Sequence, residues 1–382
     1  MKPIRADELA ARIRPLFDEN FSRFGELGAA VSIWQGGQSV LELQGGFCDA
    51  QREIPWTAET LVLFWSATKG LGAACLLHLL QDHKIGLERR VAEFWPEFGQ
   101  SGKEAITLAQ LLSHQAGLAG LDATAEMTDY AAVIQALERQ SPLWPPGTAH
   151  GYHARTFGFL LDQLVRRIDS RSIEEYWREV FAEPLALDIW IGLPAEENFR
   201  VATIYADRTS GTAASPDPFY RALTTPGTLQ RQAFTSPRGL NSVSAMNTPE
   251  NRARSLVSLG GIGRANALAK FYALLANGGS LGGTRFFSEK TIAQMTTTLS
   301  AGTDRVFLFP TAFSAGFMQD PPEAGRRLFG PSQLAFGHPG AGGSHAFADP
   351  ENNLSFAYVM NQMEQKVLPN EKSLRLVEAL FA

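Results

Sequence analysis

The chain of 382 residues contains little cysteine and no long apolar run. Its two cysteines, Cys48 and Cys75, are too few for a disulfide framework. Cys75 lies in an apolar helical stretch, where a free cysteine is normally a buried, structural thiol. No stretch reaches the roughly 18 apolar residues of a transmembrane helix, and no continuous apolar run follows the basic N-terminus as a secretory signal requires. We therefore expect a cytoplasmic protein with no membrane partner.

An excess of one charge sign is also missing. The chain has 34 basic and 39 acidic residues, which gives a net charge of -5. A general nucleic-acid binder shows a basic excess or a basic stripe, so the composition argues against nucleic acid as a partner. The 45% of hydrophobic and 19% of charged residues are ordinary for a globular protein. The length allows roughly two to three domains and a core that needs neither a disulfide nor a metal.

Signatures of cofactors and metals are absent as well. The sequence contains neither a GxxxxGK[ST] phosphate loop nor the Rossmann glycine fingerprint. His150 and His153 are three residues apart, but no carboxylate pair completes a metal-ligand set near them. His78 and His83 are five apart and do not share a helical face well. We expect no metal and no cofactor.

Strands are predicted at both ends of the chain, with helices between them. Residues 6–25 predict a helix, and strands at 29–35 and 39–44 flank the hairpin glycines Gly36 and Gly37. A helix at 68–83 is apolar on most of its surface and is expected to be buried all round. Further helices are predicted at 107–112, 131–139, 154–167, 173–181, 265–276, 289–297 and 369–381, and further strands at 312–318, 333–338, 345–349 and 354–360.

Terminal strands need edge partners, so the simplest closure is one antiparallel sheet built from both chain ends. This predicts an α/β (α+β) fold of two lobes. Residues 1–78 and 190–382 form an α/β lobe in which helices flank the sheet, residues 79–189 form a mostly helical lobe, and the cleft between the lobes holds the site. Residues 204–260 show weak periodicity and are too long for a simple connection, so we expect them to be functional or mobile.

The segment 66–69, with sequence SATK, is the first candidate for chemistry. A Ser-x-x-Lys match alone is weak, because 24 serines and 8 lysines give about half a match by chance. Here Ser66 lies at the start of the buried helix, and Lys69 follows one turn later on the same face. Burial favours a neutral amine, which is the base that a serine nucleophile needs, and the helix N-terminus offers N–H donors for an oxyanion. The alternative is a capping serine beside a lysine that reaches solvent.

Two further segments are candidates for the same site. Tyr152, in the sequence GYHA, precedes a predicted helix, and its hydroxyl can share a proton with Lys69 if the two side chains face each other. Residues 337–343, with sequence GHPGAGG, lie between two predicted sheet strands, where glycines indicate the close approach of a ligand or another backbone. The N–H of Ala341 is then a candidate oxyanion donor beside that of Ser66. The alternatives are an ordinary half-buried tyrosine and a tight hairpin.

The sequence also contains a misleading match to the G-x-S-x-G nucleophile pattern, GGSLG at residues 278–282. That pattern places the serine between a strand and a helix. Here a predicted helix precedes the match, and Ser280 is therefore predicted to lie in a surface hairpin after the end of that helix.

Taken together and in this order, the three segments resemble the serine β-lactamase and penicillin-binding-protein superfamily, most of all the class C-like branch that includes the family VIII carboxylesterases. The resemblance covers nearly the whole chain and extends to LLSHQAGL at 111–118 and the DP pair at 349–350. It implies a two-lobed β-lactamase/DD-peptidase-like fold with Ser66 as the acylated nucleophile, Lys69 as its basic partner and Tyr152 as the proton shuttle. The N–H groups of Ser66 and Ala341 would form the oxyanion hole.

Two motifs depart from the lactamase pattern. Lactamases have Tyr-x-Asn, whose asparagine holds the substrate's amide side chain, whereas Ala154 stands at that position here. They also have Lys-Thr-Gly, which holds the substrate carboxylate, whereas this chain has His338, Pro339 and Gly340. Proline has no hydroxyl, and histidine is mostly neutral near pH 7. The changes remove partners for a charged, amide-bearing substrate, so we predict hydrolysis of uncharged esters and assign substrate contacts to His338, Gly340 and Trp65.

Three functions stay open at this point. The first is a carboxylesterase that forms an acyl-enzyme on Ser66 and takes a small-molecule ester. The second uses the same acyl-enzyme as a β-lactamase, a D-amino-acid peptidase or a transacylase. The third is a catalytically silent binding or scaffold homologue.

Overall fold

The central feature of the fold is an antiparallel sheet of eight strands. The computed structural model describes residues 3–206 and 217–382. The strands of this sheet are β1 (Gly28–Gln35), β2 (Gln38–Gly46), β8 (Ser300–Thr303), β9 (Pro310–Phe313), β10 (Met318–Gln319), β11 (Phe336–Gly337), β12 (His345–Asp349) and β13 (Leu354–Met360). Their order is β2-β1-β13-β12-β11-β10-β9-β8. Two small sheets contain β3 (Val62–Leu63), β4 (Ile189–Ile191) and β5 (Gly261–Gly263), and β6 (Ser280–Leu281) and β7 (Thr284–Arg285).

The two ends of the chain meet inside the large sheet. The first strand, β1, pairs antiparallel with the last strand, β13, from Ala29 opposite Met360 to Gln35 opposite Leu354. On its other side β1 pairs with β2 across a two-residue turn of glycines, both of which have positive φ. Such φ values suit a tight hairpin and are unfavourable for most residues other than glycine. The predicted closure of one antiparallel sheet by both chain ends is confirmed.

Helices cover both faces of this sheet. The helices are α1 (Ala6–Arg23), α2 (Thr68–Asp82), α3 (Leu108–Leu112), α4 (Tyr130–Arg139), α5 (Thr156–Asp169), α6 (Ile173–Tyr176), α7 (Pro218–Thr224), α8 (Leu229–Thr235), α9 (Pro249–Arg252), α10 (Ala265–Ala276), α11 (Glu289–Thr296) and α12 (Glu371–Phe381). Helix α10 packs against β1, β12 and β13, while α1 packs against α12 and β2. Along β13, Phe356 and Tyr358 join the apolar cluster of α1 and α12, and Ala357 and Val359 join that of α10, as the two-residue period of a strand requires.

Helix α2 lies in the middle of the larger apolar cluster. All its residues from Thr68 to Leu77 are buried, which confirms the predicted burial on every side. Glycine makes this packing possible, because a Cβ on Gly72 would lie 2.5 Å from Cγ1 of Val257. Cys75 is a free, buried thiol in the same helix, as expected.

Some predicted elements differ in extent from those observed. The predicted strand at 312–318 is wrong, because β9 ends at Phe313 and the chain turns through Gly316 with φ of +84° before β10 begins. The strand predicted at 333–338 is reduced to Phe336–Gly337. The helix predicted at 173–181 continues beyond α6 as a π-helix, Trp177–Ala182. Residues 204–260 include α7, α8 and α9, and residues 207–216 of that segment lie outside the described part of the chain.

Candidate active site

Ser66 lies in the turn that joins β3 to the N-terminus of α2. The preceding residue, Trp65, has φ of +53°, a left-handed conformation that is rare for a bulky side chain. This turn is held from both sides, since Thr68 Oγ1 donates to the carbonyl of Trp65 at 2.5 Å and accepts from the N–H of Gly261 at 2.8 Å. Helix α2 therefore begins two residues after Ser66, and the serine stands at its N-terminal end as the sequence predicts.

Lys69 is fully buried and contacts Ser66. Its Nζ lies 3.3 Å from Ser66 Oγ and donates to the carbonyls of Ala154 and Ser258 at 2.8 Å each. Burial lowers the pKa of Lys69 well below its ordinary value of 10.5, and the positive charge of Arg155 lowers it further. The burial of this amine and its contact to the serine hydroxyl both agree with the prediction from the sequence.

Three of the residues around this amine were not predicted from the sequence to belong to the site. Ala154, which offers no side-chain donor, contributes its carbonyl oxygen instead. Ser258 comes from a distant segment, and its own hydroxyl donates to the carbonyl of Arg155 at 2.9 Å. The guanidinium of Arg155 donates to the carbonyls of Pro237 and Gly239, at 2.8 and 2.7 Å. No local motif marks these residues, because their partners are far apart in sequence.

Tyr152 lies next to the Ser66–Lys69 pair. The Nζ of Lys69 is 4.9 Å from the centre of the Tyr152 ring, and Tyr152 is buried. Burial raises the pKa of Tyr152, which hydrogen bonding to the Ser66 side chain partly offsets. The phenol is therefore protonated at neutral pH and is a proton donor rather than a resident phenolate. The structure thus brings together the three side chains that the sequence assigned to one site.

The turn at residues 340–344 presents a free backbone N–H beside Ser66. The N–H groups of Gly340, Gly342 and Gly343 all donate to carbonyl oxygens. Those of Ser66 and Ala341 donate to no acceptor within residues 3–206 and 217–382, and both residues line the same pocket. Two unpaired N–H groups at one pocket wall are consistent with the donor pair predicted for a tetrahedral oxyanion.

The pocket next to Ser66 is small and mostly apolar, with room for about one water molecule. It is lined by Ser66, Tyr152, Phe234, Phe307, Met318, His338, Pro339, Ala341 and Val367. Burial lowers the pKa of His338 to about 3, so this histidine is neutral at physiological pH. Trp65 and Gly340, the other two predicted substrate contacts, are not among the lining residues. Trp65 packs against the apolar cluster of α2, and the Cα of Gly340 lies against the backbone of Phe64, where a Cβ would be 2.0 Å from its carbonyl oxygen.

The other sequence candidates have structural partners. His153 uses both ring nitrogens on backbone groups, at Leu118 and Gly151, and His150 is bonded to Thr311. Across the described ranges, no cluster of three or more His, Cys, Asp or Glu residues is placed to hold a metal. Ser280 lies in the β6–β7 hairpin after α10, as predicted. Among the same residues, none of the helices has the length and apolarity needed to cross a bilayer.

The eight-stranded sheet and the serine at the N-terminal end of a buried helix define the β-lactamase-like class of folds. The family described as Beta-lactamase matches residues 17–380. This match spans nearly all of the chain, and the protein belongs to that family. The predicted resemblance and the predicted fold class are both confirmed.

Relatives with different descriptions share this fold over most of their length. The esterase/beta-lactamase LipL of Mycobacterium tuberculosis (strain ATCC 25618 / H37Rv) is 32% identical over 354 residues, which cover 89% of this chain and 78% of LipL. A penicillin-binding-protein homologue from Caulobacter crescentus and a family VIII carboxylesterase have solved structures. Each is 36% identical to this chain, with a TM-score of 0.87 and coverage of 100% of this chain and 98% of its own.

Proposed function

We propose that this protein is a serine hydrolase that cleaves uncharged carboxylic esters through an acyl-enzyme on Ser66. The observation that carries this proposal is the contact between the Ser66 hydroxyl and a buried amine whose pKa is lowered. The descriptions of LipL as an esterase/beta-lactamase and of a 36% identical structure as a family VIII carboxylesterase agree with it. A cytoplasmic location and the division into lobes at residues 79–189 remain predictions from the sequence.

The roles follow from the protonation states. Neutral Lys69 takes the proton of Ser66 Oγ as that oxygen attacks the ester carbonyl. The negative charge that develops on the carbonyl oxygen is held by the N–H groups of Ser66 and Ala341, which have no other acceptor in the described chain. The phenol of Tyr152 gives a proton to the departing alkoxide and regains one from Lys69. In the second step Lys69 takes a proton from the water that attacks the acyl carbonyl, the bond from that carbonyl to Ser66 Oγ breaks, and the proton passes to Ser66 Oγ as the acid leaves.

The pocket indicates the substrate class within this reaction. None of its lining residues carries a charge at neutral pH, since His338 is neutral there. A substrate carboxylate would therefore be buried without a partner. This weakens the binding of such a substrate by roughly 1–3 kcal/mol or more. The pocket is narrow, with room for about one water molecule beside these side chains, which favours short acyl chains.

An assay with p-nitrophenyl acetate, butyrate and decanoate tests the proposal. We expect the wild-type protein to turn over the short esters fastest and the Ser66→Ala variant to show no activity above the uncatalysed rate. Ser280→Ala is the matched control, because Ser280 sits in the other serine motif and should retain full activity. Equal rates for wild type and Ser66→Ala would refute the proposal.

The alternatives give different results in the same experiment. A fluorophosphonate probe should add one adduct to the wild type, and none to Ser66→Ala, in intact-mass spectrometry. Rapid turnover of nitrocefin, a D-alanyl peptide or a thioester donor with little ester hydrolysis would favour a β-lactamase, peptidase or transacylase. Absence of any adduct would favour the silent binding homologue.

A further inference from the structure

The loop between β8 and β9 is hydrogen-bonded to the backbone of the segment that contains Tyr152. The N–H of Arg305 donates to the carbonyl of His150 at 3.0 Å. One residue earlier, Asp304 Oδ1 accepts from the N–H of Tyr152 itself at 3.1 Å. These two bonds hold the Tyr152 segment against a loop that begins about 150 residues later in the chain.

The carboxylate of Asp304 also organises its own loop. The same oxygen, Oδ1, accepts from the N–H groups of Val306 and Phe307 at 2.7 and 2.9 Å. The other oxygen, Oδ2, accepts from Thr311 Oγ1 at 3.1 Å, and this hydroxyl is bonded to His150. The Asp304 side chain is fully buried, so these bonds are not exchanged for water. A buried carboxylate with this many donors has one favoured position.

An aromatic ring of the same loop also contacts the Tyr152 side chain. The Phe307 ring stacks on the Tyr152 ring with centroids 4.7 Å apart and an interplanar angle of 21°. Asp304 therefore fixes the phenol from two directions, through the backbone N–H of Tyr152 and through the loop that carries Phe307. Asp304 itself is not among the residues that line the pocket and has no bond to Ser66 or Lys69 within the described chain.

We propose that Asp304 is a positioning residue that holds the Tyr152 hydroxyl in line with Ser66 for proton transfer. This inference rests on the proposed role of Tyr152 in ester hydrolysis. Proton transfer depends steeply on distance, and a displacement of about 1 Å in a reacting group can lower the rate about 10²-fold. Loss of the Asp304 carboxylate removes the acceptor of three N–H groups at once and frees both the tyrosine backbone and the stacked ring.

A double-mutant cycle between Asp304 and Tyr152 tests this role. We expect Asp304→Ala to lower kcat for p-nitrophenyl butyrate about 10-fold or more, with a smaller rise in KM because Phe307, which the carboxylate positions, lines the pocket. In a Tyr152→Phe background, which has no phenol to position, the same substitution should change kcat less than about 3-fold. An equal loss in both backgrounds, or no loss in the wild-type background, would overturn the proposal.

Asp349→Ala is the matched control for the loss of a buried aspartate. Asp349 is fully buried and accepts from the N–H of Glu351 at 3.1 Å, at the end of β12 opposite the turn of Ala341. This variant should lose stability but keep kcat and its pH profile. A decrease in kcat for Asp349→Ala as large as that for Asp304→Ala would show that general loosening of the sheet explains the effect, and would overturn the proposal.

The conservative variant Asp304→Asn covers the case in which Asp304→Ala fails to fold. Its amide oxygen still accepts N–H donors, so kcat should lie between those of the wild type and Asp304→Ala, and the difference should vanish in the Tyr152→Phe background. Failure of the proposed function looks different. There, Tyr152→Phe alone would have wild-type activity, or Ser66 would take no adduct, whatever the result for Asp304.

Discussion

At the scale of single residues, the surroundings of Lys69 fit the proposed activation of a serine hydroxyl without a histidine. In its neutral form this amine has two hydrogens, and two carbonyl oxygens lie 2.8 Å away, at Ala154 and Ser258. When both hydrogens go to these carbonyls, the lone pair is left for the longer contact of 3.3 Å to Ser66 Oγ. Because a charged amine could donate to all three oxygens, it is the lowered pKa, caused by burial, that favours the neutral lysine.

The first prediction concerns the removal of this amine. Lys69→Met should lower ester turnover by about 10²-fold or more, the usual scale of general acid–base catalysis, as measured by kcat on p-nitrophenyl butyrate. Lys103→Met is the matched control, because Lys103 is also buried and donates to three carbonyls, at Gln100, Glu138 and Gln140. Both variants leave buried carbonyls without a donor, but only Lys69→Met should lose the chemistry. Similar losses in both would mean that destabilisation is the cause.

The second prediction concerns pH. The base must be neutral, so activity should be low when Lys69 is charged and should rise with pH through the apparent pKa of the Lys69–Tyr152 pair, in which burial lowers the pKa of Lys69. We expect kcat to increase between about pH 6 and 9. The site histidines do not supply this rise, because burial lowers the pKa of His338 to about 3 and that of His153 to about 4. Measurement against Ser66→Ala at each pH removes the uncatalysed rate, and a flat profile would contradict the prediction.

How far the site can be predicted from the sequence depends on the distance between partners along the chain. Ser66 and Lys69 share one helical turn, so their contact follows from local geometry. The carbonyl of Ser258 reaches Lys69 across 189 residues, and the carboxylate of Asp304 reaches Tyr152 across 152 residues. No periodicity or spacing encodes such contacts, so only a resemblance to a folded family or the fold itself reveals them. Tyr152 and Ala341 were candidates from their own segments, and the resemblance assigned them to one site with Ser66.

At the scale of elements, two glycines set how closely the parts of the site approach each other. Glycine in a helix normally costs about 1 kcal/mol relative to alanine, so propensity alone predicts that Gly72→Ala in α2 is stabilising. Packing predicts the opposite, because the added Cβ would lie 2.5 Å from Val257 and overpacking costs about 1–3 kcal/mol. The neighbour of Val257 is Ser258, whose carbonyl binds Lys69.

The third prediction follows from this conflict. Gly72→Ala should lower the free energy of unfolding by about 1 kcal/mol, measured by urea denaturation, because packing outweighs propensity. In a Val257→Ala background the clash is relieved, and the same change should become less harmful. Ala131→Gly on the exposed face of α4 measures the propensity effect alone. An increase in stability for Gly72→Ala would show that the segment with Val257 yields easily.

The fourth prediction concerns the turn of Ala341. Gly342 has φ of +86°, and a Cβ there would lie 2.6 Å from Cγ of Met363. Gly342→Ala should displace the N–H of Ala341 and lower kcat by about 10²-fold, the scale for loss of one oxyanion donor. Gly283→Ala is the control, because Gly283 has φ of +82° with no atom within 4 Å of a Cβ. It introduces the same backbone strain in the β6–β7 hairpin and should leave kcat unchanged.

The elements themselves were predictable where the apolar pattern is long and regular. Helices α2 and α10 and strands β12 and β13 lie close to their predicted bounds, because each is buried along most of its length. The prediction is wrong where a strand has only two paired residues, as in β10 and β11. So short a strand owes its conformation to its neighbours in the sheet rather than to its own sequence.

At the scale of the whole molecule, a buried ion pair joins the two chain ends that close the sheet. Lys372, in α12, lies 2.9 Å from Glu26, which precedes β1, and both side chains are fully buried. The hydroxyl of Tyr358 in β13 donates to the same carboxylate oxygen at 2.7 Å. Segments from opposite ends of the sequence, namely the residue before β1 and the elements β13 and α12, thus meet at one charged contact.

The fifth prediction tests this contact. Lys372→Met should lower the free energy of unfolding by about 3–5 kcal/mol, because Glu26 then stays buried without a counter-charge. Adding Glu26→Gln should recover much of that loss, since a neutral amide can still accept from Tyr358. Glu250→Gln, which breaks an exposed pair with Arg254, should change stability little. Urea denaturation of the wild type and the three variants decides the matter: if Lys372→Met unfolds at the wild-type urea concentration, the chain ends are held by apolar packing alone.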